Sequence, residues 1–188
     1  MKLLVVSGSR SRKGQTARVA AALTEGAVLA GCETEALFLP ELHVERCRQC
    51  ENDGWGICRT GKKCVIDDDF ASVVEKVRQA DFVVFATPVY FSDLSESLRA
   101  FLDRLRRICI HGGKADRIQA KPVVGVCVAG GGGGGALKCA ASLESILQTC
   151  GFDVVDMIPV RRQNLAAKLE ALSVVGRWLA TKPSSASG

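Results

Sequence analysis

Apolar positions along the chain follow two rhythms in turn. Short runs rich in aliphatic and β-branched residues recur at Lys2–Ser7, Phe82–Ala86, Val123–Val128 and Val154–Val160, and Glu33–Leu39 is a further run closed by Pro40. Runs of this length predict strands, and the continuous ones predict strands covered on both faces. Between them the spacing changes to three and four residues. Ala20, Leu23, Ala27 and Ala30 form one stripe, followed by Phe70, Val73, Val74 and Val77, then Leu94, Leu98, Phe101, Leu102 and Leu105. Ala140, Leu143 and Leu147 follow, and Leu165, Leu169, Leu172 and Leu179 close the series. Each stripe predicts an amphipathic helix. Gly31 suits the end of the first helix, and Asp67, Asp68 and Asp69 supply capping groups and favourable charge at the start of the second.

Strands alternating with helices require a parallel sheet with right-handed crossovers. Five strands predict a doubly wound α/β fold in the flavodoxin-like order 2-1-3-4-5. Residues 1–180 are expected to form one domain and 181–188 a disordered tail. Such sheets bind ligands beyond the carboxyl ends of their strands, where strand order reverses. Attention therefore falls on the loops after Ser7, Ala86 and Val128.

In the first loop, Ser7-Gly8-Ser9-Arg10-Ser11-Arg12-Lys13-Gly14-Gln15-Thr16, small residues permit a tight turn and helix-start amides offer an anion site. The hydroxyls of Ser9, Ser11 and Thr16 add donors, and Arg10, Arg12 and Lys13 add attraction at longer range. Five residues separate Gly8 from Gly14, and Gln15 stands where a nucleotide P-loop places lysine. G-x-G-x-x-G is missing as well. The pattern suits a phosphate monoester held without magnesium, the alternative being an ordinary serine-capped turn. In the second loop, Thr87-Pro88-Val89-Tyr90-Phe91-Ser92-Asp93, proline stops further pairing and two aromatics reach the rim. Such a loop offers amides and an apolar wall to a flat ring. The third, Gly130 to Gly135, is six glycines in succession. It allows close backbone approach to a flat ligand, the alternative being a flexible linker.

Nine cysteines, an odd number, with no export signal at the N-terminus, favour a reducing compartment over a disulfide framework. Cytoplasmic location is the expectation. Cys32, Cys109, Cys127, Cys139 and Cys150 lie in apolar surroundings and are expected in the core. Cys47, Cys50, Cys58 and Cys64 cluster within an aperiodic stretch at 41–66. Four thiolates there can enclose a [4Fe–4S] cluster or a tetrahedral zinc, or serve as free thiols in a covering loop. The net charge of +5 is spread along the chain and aromatics make up 5%, so a nucleic-acid surface has no footprint. No apolar stretch reaches the roughly 18 residues of a membrane span.

The blocks Gly8-Ser9…Arg12…Gly14-Gln15-Thr16 and Thr87-Pro88-Val89-Tyr90-Phe91…Leu98-Arg99-Ala100-Phe101-Leu102-Asp103-Arg104 together resemble the NAD(P)H-dependent FMN reductase and iron–sulfur flavoprotein branch of the flavodoxin-like superfamily. The resemblance implies FMN, with its phosphate at Ser9, Ser11, Gly14, Gln15 and Thr16 and Arg12 nearby. It implies the ring against Pro88, Val89, Tyr90, Phe91 and Ser92, bordered by Gly130, Gly131 and Gly132. It implies NAD(P)H as hydride donor and, in iron–sulfur flavoproteins, a compact cysteine motif. Here Asp53 occupies the usual third position of that motif and Cys58 follows later. Two functions follow as expectations. One is an FMN-dependent oxidoreductase passing electrons to a quinone, a metal ion or another small acceptor. The other is an iron–sulfur electron carrier serving a ferredoxin-type partner. A homo-oligomer, dimer or tetramer, is expected in either case. Hydride transfer itself asks for no catalytic side chain, because the flavin carries the chemistry.

Overall fold

The computed structural model describes residues 1–111 and 116–181. Five strands, β1 (Lys2–Ser7), β2 (Glu33–Phe38), β3 (Phe82–Pro88), β4 (Pro122–Ala129) and β5 (Asp153–Arg161), form one parallel sheet. Its order is β2-β1-β3-β4-β5, as the alternation of strands and helices predicts. Five helices connect the strands: α1 (Gln15–Leu29), α2 (Phe70–Gln79), α3 (Glu96–Cys109), α4 (Ala136–Cys150) and α5 (Leu165–Leu179). The tail expected at 181–188 lies outside the described residues from position 182 onward.

Successive side chains of a strand point to opposite faces, so each central strand feeds two cores. Leu3 and Val5 of β1 meet Val19, Leu23 and Ala27 of α1 and Leu172 and Leu179 of α5. Leu4 and Val6 face α2, α3 and α4 through Phe70, Phe101, Leu105 and Leu143. The outer strands β2 and β5 are only half-buried, consistent with their mixed sequences. Gly26 and Gly176 bring α1 and α5 into backbone contact, since a Cβ on Gly176 would stand 2.9 Å from the Leu23 carbonyl carbon. The five scattered cysteines are all buried, as expected of small apolar core residues. Strand bounds differ from the sequence expectation mainly at the ends. Leu39 leaves β2 for a 3-10 turn at Leu39–Glu41, because Pro40 cannot continue the ladder.

Among the described residues no helix is long and apolar enough to cross a membrane.

Candidate functional site

The carboxyl edge of β1, β3 and β4 brings the three singled-out loops together. Gly8 N donates to the Ala86 carbonyl (2.8 Å) and Val89 N to the Val128 carbonyl (2.9 Å), which ties the three strand ends at one level. Across the gap, Ser97 Oγ donates to Gly8 O (3.2 Å). Ser95 caps α3, its Oγ accepting from Leu98 N, and Thr87 Oγ1 accepts from Ser95 N (3.0 Å). A Cβ on Gly8 would collide with Ser95 Oγ and lie 2.9 Å from Leu98 Cβ. Glycine is therefore required there by close approach.

Within the first loop the serines largely serve the backbone. Ser9, buried, accepts from Ser11 N and donates to Ser11 O, both at 3.2 Å. Ser11 Oγ accepts from Lys13 N (3.4 Å). Arg12 forms a two-pronged ion pair with Glu41 and lies over the Phe38 ring at 4.5 Å. That hydrogen bond raises the Arg12 pKa and lowers that of Glu41. Arg12 thus fastens the first loop to the end of β2, a role its sequence position did not suggest. Helix α1 starts at Gln15 behind the N-cap residue Gly14, with no side-chain cap and no acidic residue in its first turn, so its opening amides face the loop with the dipole's positive end behind them. Thr16 is buried at that turn. Beside it, Gln15 Oε1 is a buried acceptor without a hydrogen-bond partner, and Gly130 of the third loop is its neighbour, a Cβ there standing 3.6 Å away.

The second loop closes on itself as a two-residue hairpin. Tyr90 N donates to Asp93 O (3.0 Å) and Asp93 N to Tyr90 O (2.9 Å), leaving Phe91 and Ser92 at φ +50° and +67°. Left-handed backbone at two successive side-chain-bearing residues costs of order 1 kcal/mol or more each, and such strain concentrates at functional sites. Asp93 is held by Arg99 of α3. The outcome is a Phe91 ring wholly in solvent and a half-exposed Tyr90. Ser92 packs on the third loop, where a Cβ on Gly135 would meet its Oγ at 2.6 Å. That loop is pinned from the far side by Gln163, whose Nε2 donates to Gly132 O (3.1 Å). Around Gly131, Gly132 and Gly134 there is open space on the side where a Cβ would project.

An uncapped helix start, an unpartnered amide oxygen and a rim of exposed aromatic and bare backbone match a ligand carrying an anionic group, hydroxyls and a flat ring. FMN has all three, and the residues present fit it.

The four clustered cysteines lie elsewhere. Cys47, Cys50, Cys58 and Cys64 line one small pocket together with Gly54, Ile57, Ile66, Arg104, Arg107 and Ile108. The pocket runs along the second half of α3. Arg104 to Ile108 lie 9 to 13 residues beyond Ser95, about 14–20 Å along a helix axis. The segment leaves the carboxyl end of β2, on the side of the sheet where the three loops meet. The chain instead turns down the outside of α3, held there by a buried ion pair. Arg104, 1% exposed, bonds Asp68, 0% exposed, through Nη1–Oδ2 at 2.6 Å and Nη2–Oδ1 at 2.9 Å. Arg104 Nη1 also donates to Glu45 O (3.0 Å), and Asp68 accepts from Glu45 N (2.8 Å) and Phe70 N (3.1 Å). Burial opposes both charges, yet the mutual hydrogen bonds prevail, raising the Arg104 pKa and lowering that of Asp68. Cys64 also favours the guanidinium's proton. Below, Arg107 Nη1 donates to Gly54 O (2.7 Å), and Arg107 and Arg59 flank the Trp55 ring at 4.7 and 5.0 Å.

Four thiols among arginines suit an anionic sulfur-ligated centre. Among the described residues, no three of His, Cys, Asp and Glu are grouped closely enough to hold a metal ion. Sequence reasoning assigned Asp68 only a capping role and did not single out Arg104. The available signal was an arginine on the inward stripe of α3, between Phe101 and Ile108.

The model of the NADPH-dependent FMN reductase family matches residues 1–170. An iron–sulfur flavoprotein of Methanosarcina thermophila is 35% identical over 159 residues, covering 82% of this chain and 77% of that protein. A second, from Methanocaldococcus jannaschii, is 28% identical over 131 residues, 70% of this chain and 65% of its own length, just under two thirds. In structure, an NAD(P)H:quinone oxidoreductase from Methanothermobacter marburgensis superposes with a TM-score of 0.70 at 22% identity, covering 97% of this chain and 98% of that one. That last likeness is one of fold.

Proposed function

The chain belongs to the NADPH-dependent FMN reductase family, and on that premise we propose that its three-loop rim is the FMN site of an oxidoreductase that delivers electrons from NAD(P)H to a small acceptor. The observation that carries this assignment is the buried, unpartnered Gln15 Oε1 at the uncapped start of α1, where the first and third loops meet. An acceptor left bare in a buried position costs roughly 1–3 kcal/mol, and a ribityl hydroxyl would satisfy it.

The residues divide the work. Opening amides of α1, with Ser11 and Thr16, hold the phosphate, and Gly14 leaves the helix end open to it. Ser9 shapes the loop, and Arg12 lends charge while braced on Glu41. Pro88 ends β3 at the rim with Val89 directly after it, Tyr90 and Phe91 wall the ring, and Ser92 seats the glycine loop. Gly130, Gly131 and Gly132 bring bare backbone to the ring's border. FMN held there would supply the redox chemistry between nicotinamide and acceptor. A quinone is the first acceptor to test, since the NAD(P)H:quinone oxidoreductase of the same fold is named for that acceptor.

A second feature favours an iron–sulfur variant of this function. All four clustered cysteines line one pocket with cationic walls, and relatives bear the name iron–sulfur flavoprotein. The distance along α3 favours electron exchange with FMN across a contact between copies of the chain over a route within one copy. A ferredoxin-type partner is the corresponding protein acceptor or donor.

The test is to titrate metal-free protein anaerobically with FMN and then add NADPH. One FMN per chain, bleaching of its visible absorption and turnover with a quinone are expected, and Gln15→Ala should weaken FMN binding about tenfold. Failure to take up FMN overturns the assignment. FMN uptake with reduction only by ferredoxin moves the protein to the carrier class.

A further inference from the structure

A run of six glycines stays ordered only against contacts, because glycine loses more backbone freedom on folding than any other residue. The loop at 130–135 has contacts at three places. At its start Gly130 lies beside Gln15, and at its end Gly135, at φ +79°, lies against Ser92. Both neighbours belong to the proposed FMN site. The middle depends on a residue outside it. Among the described residues, the one hydrogen bond made by any of Gly131, Gly132, Gly133 and Gly134 runs from Gln163 Nε2 to Gly132 O, at 3.1 Å. Gly133, buried and at φ +77°, packs on the same side chain. A Cβ there would collide with Gln163 Oε1 and stand 3.1 Å from its Cδ.

The backbone carrying Gln163 is well fixed. Ala129 pairs with Arg161 where β4 and β5 end. The glycine loop and the turn Arg162–Asn164 therefore leave neighbouring strands at one level, about 4.8 Å apart. Asn164 Oδ1 accepts from Arg161 N (2.8 Å), and Leu165, next in the chain, is buried in the core shared with Val19 and Leu172. Gln163 itself is exposed, so it contributes little to the stability of the fold.

We propose that Gln163 is a positioning residue for FMN: its hydrogen bond holds the glycine loop at the border of the site and so sets how long the flavin stays bound. The inference rests on the assignment of the three-loop rim to FMN. It goes beyond that assignment, because it names a residue that acts through the loop. A loop closed only part of the time weakens apparent affinity by the closed fraction, and most such changes appear in the dissociation rate. Loss of one hydrogen bond corresponds to about threefold to tenfold.

Gly134 supplies the control. A Cβ there would meet nothing within 4 Å, and its φ lies outside the left-handed range. Alanine therefore fits the closed loop and removes freedom from the open one.

The experiment uses the full chain as parent, Gln163→Ala, Gly134→Ala and the double variant. Without ligand, amide nitrogen order parameters read the loop directly, about 0.85 marking rigid backbone and below about 0.6 flexible backbone. Gln163→Ala should move Gly132 and Gly133 from the first class to the second, with the melting temperature within about 2 °C of the parent. With FMN bound, its dissociation should be about threefold to tenfold faster from Gln163→Ala, read by recovery of flavin fluorescence after dilution. Gly134→Ala should restore part of both losses in the double variant. Equal dissociation rates from parent and Gln163→Ala overturn the inference. So does a loss that Gly134→Ala leaves untouched, which would mean that Gln163 contacts the flavin itself. A lowered melting temperature with unchanged order parameters also overturns it, making Gln163 a general support of the fold. A parent that takes up no FMN overturns the rim assignment and the inference together, whereas uptake with equal rates overturns the inference alone.

Discussion

Gly8 and Arg104 set the two sites by opposite means, one by lacking a side chain and the other by burying a charged one. At Gly8 the first loop passes so close to Ser95 and Leu98 that any Cβ must displace the start of α3. Gly8→Ala is expected to cost about 1–3 kcal/mol of stability, the usual range for overpacking. It should also weaken FMN binding, because Ser95 and Ser97 link this loop to the second. Urea midpoints and quenching of FMN fluorescence on titration measure the two effects. Sequence spacing marked Gly8 as a turn residue, and the reason it must be glycine comes from a residue 87 positions away. Arg12 shows the converse: its charge looked free for a phosphate, and Glu41 and Phe38 claim it.

At the scale of elements, α3 connects the rim to the cysteine segment. Its start is capped by Ser95 at the three-loop rim, and its second half carries Arg104 and Arg107 into the cysteine pocket. Breaking the Asp68–Arg104 pair by Asp68→Asn should cost about 3–5 kcal/mol, because a buried cation is left behind. The pH dependence has a definite sign. The native Asp68 carboxyl titrates below its ordinary value, so its contribution is present above the unfolded pKa of about 4 and is lost as pH falls through the native value. Urea midpoints followed from about pH 7 to pH 3 should therefore drop more steeply for the parent than for Asp68→Asn. The helical stripes were legible in sequence, because burial follows the 3.6-residue period. The bonding of Arg104 was not, since Glu45, Asp68 and Arg104 come from three separate stretches of chain.

For the whole molecule, FMN binds the folded chain and not the unfolded one, and folding is linked to the ligand by mass action. At about one hundred times its dissociation constant, FMN should add about 2.7 kcal/mol, roughly 5–11 °C in melting temperature for a chain of this length. Riboflavin, which lacks the phosphate, should give a distinctly smaller shift, and thermal melts with each ligand check this. The alternation of strand and helix by itself determined the sheet, its order and the edge at which the three loops meet, because crossover handedness and strand twist leave few other ways to pack such a chain. Local composition likewise marked the three loops, since small residues and glycines are required wherever backbone must approach a ligand. Only the tertiary structure decided which side chains remain available there and where the cysteine segment lies. Those outcomes depend on contacts between residues far apart in sequence, and an aperiodic loop carries no repeat from which its path could be inferred.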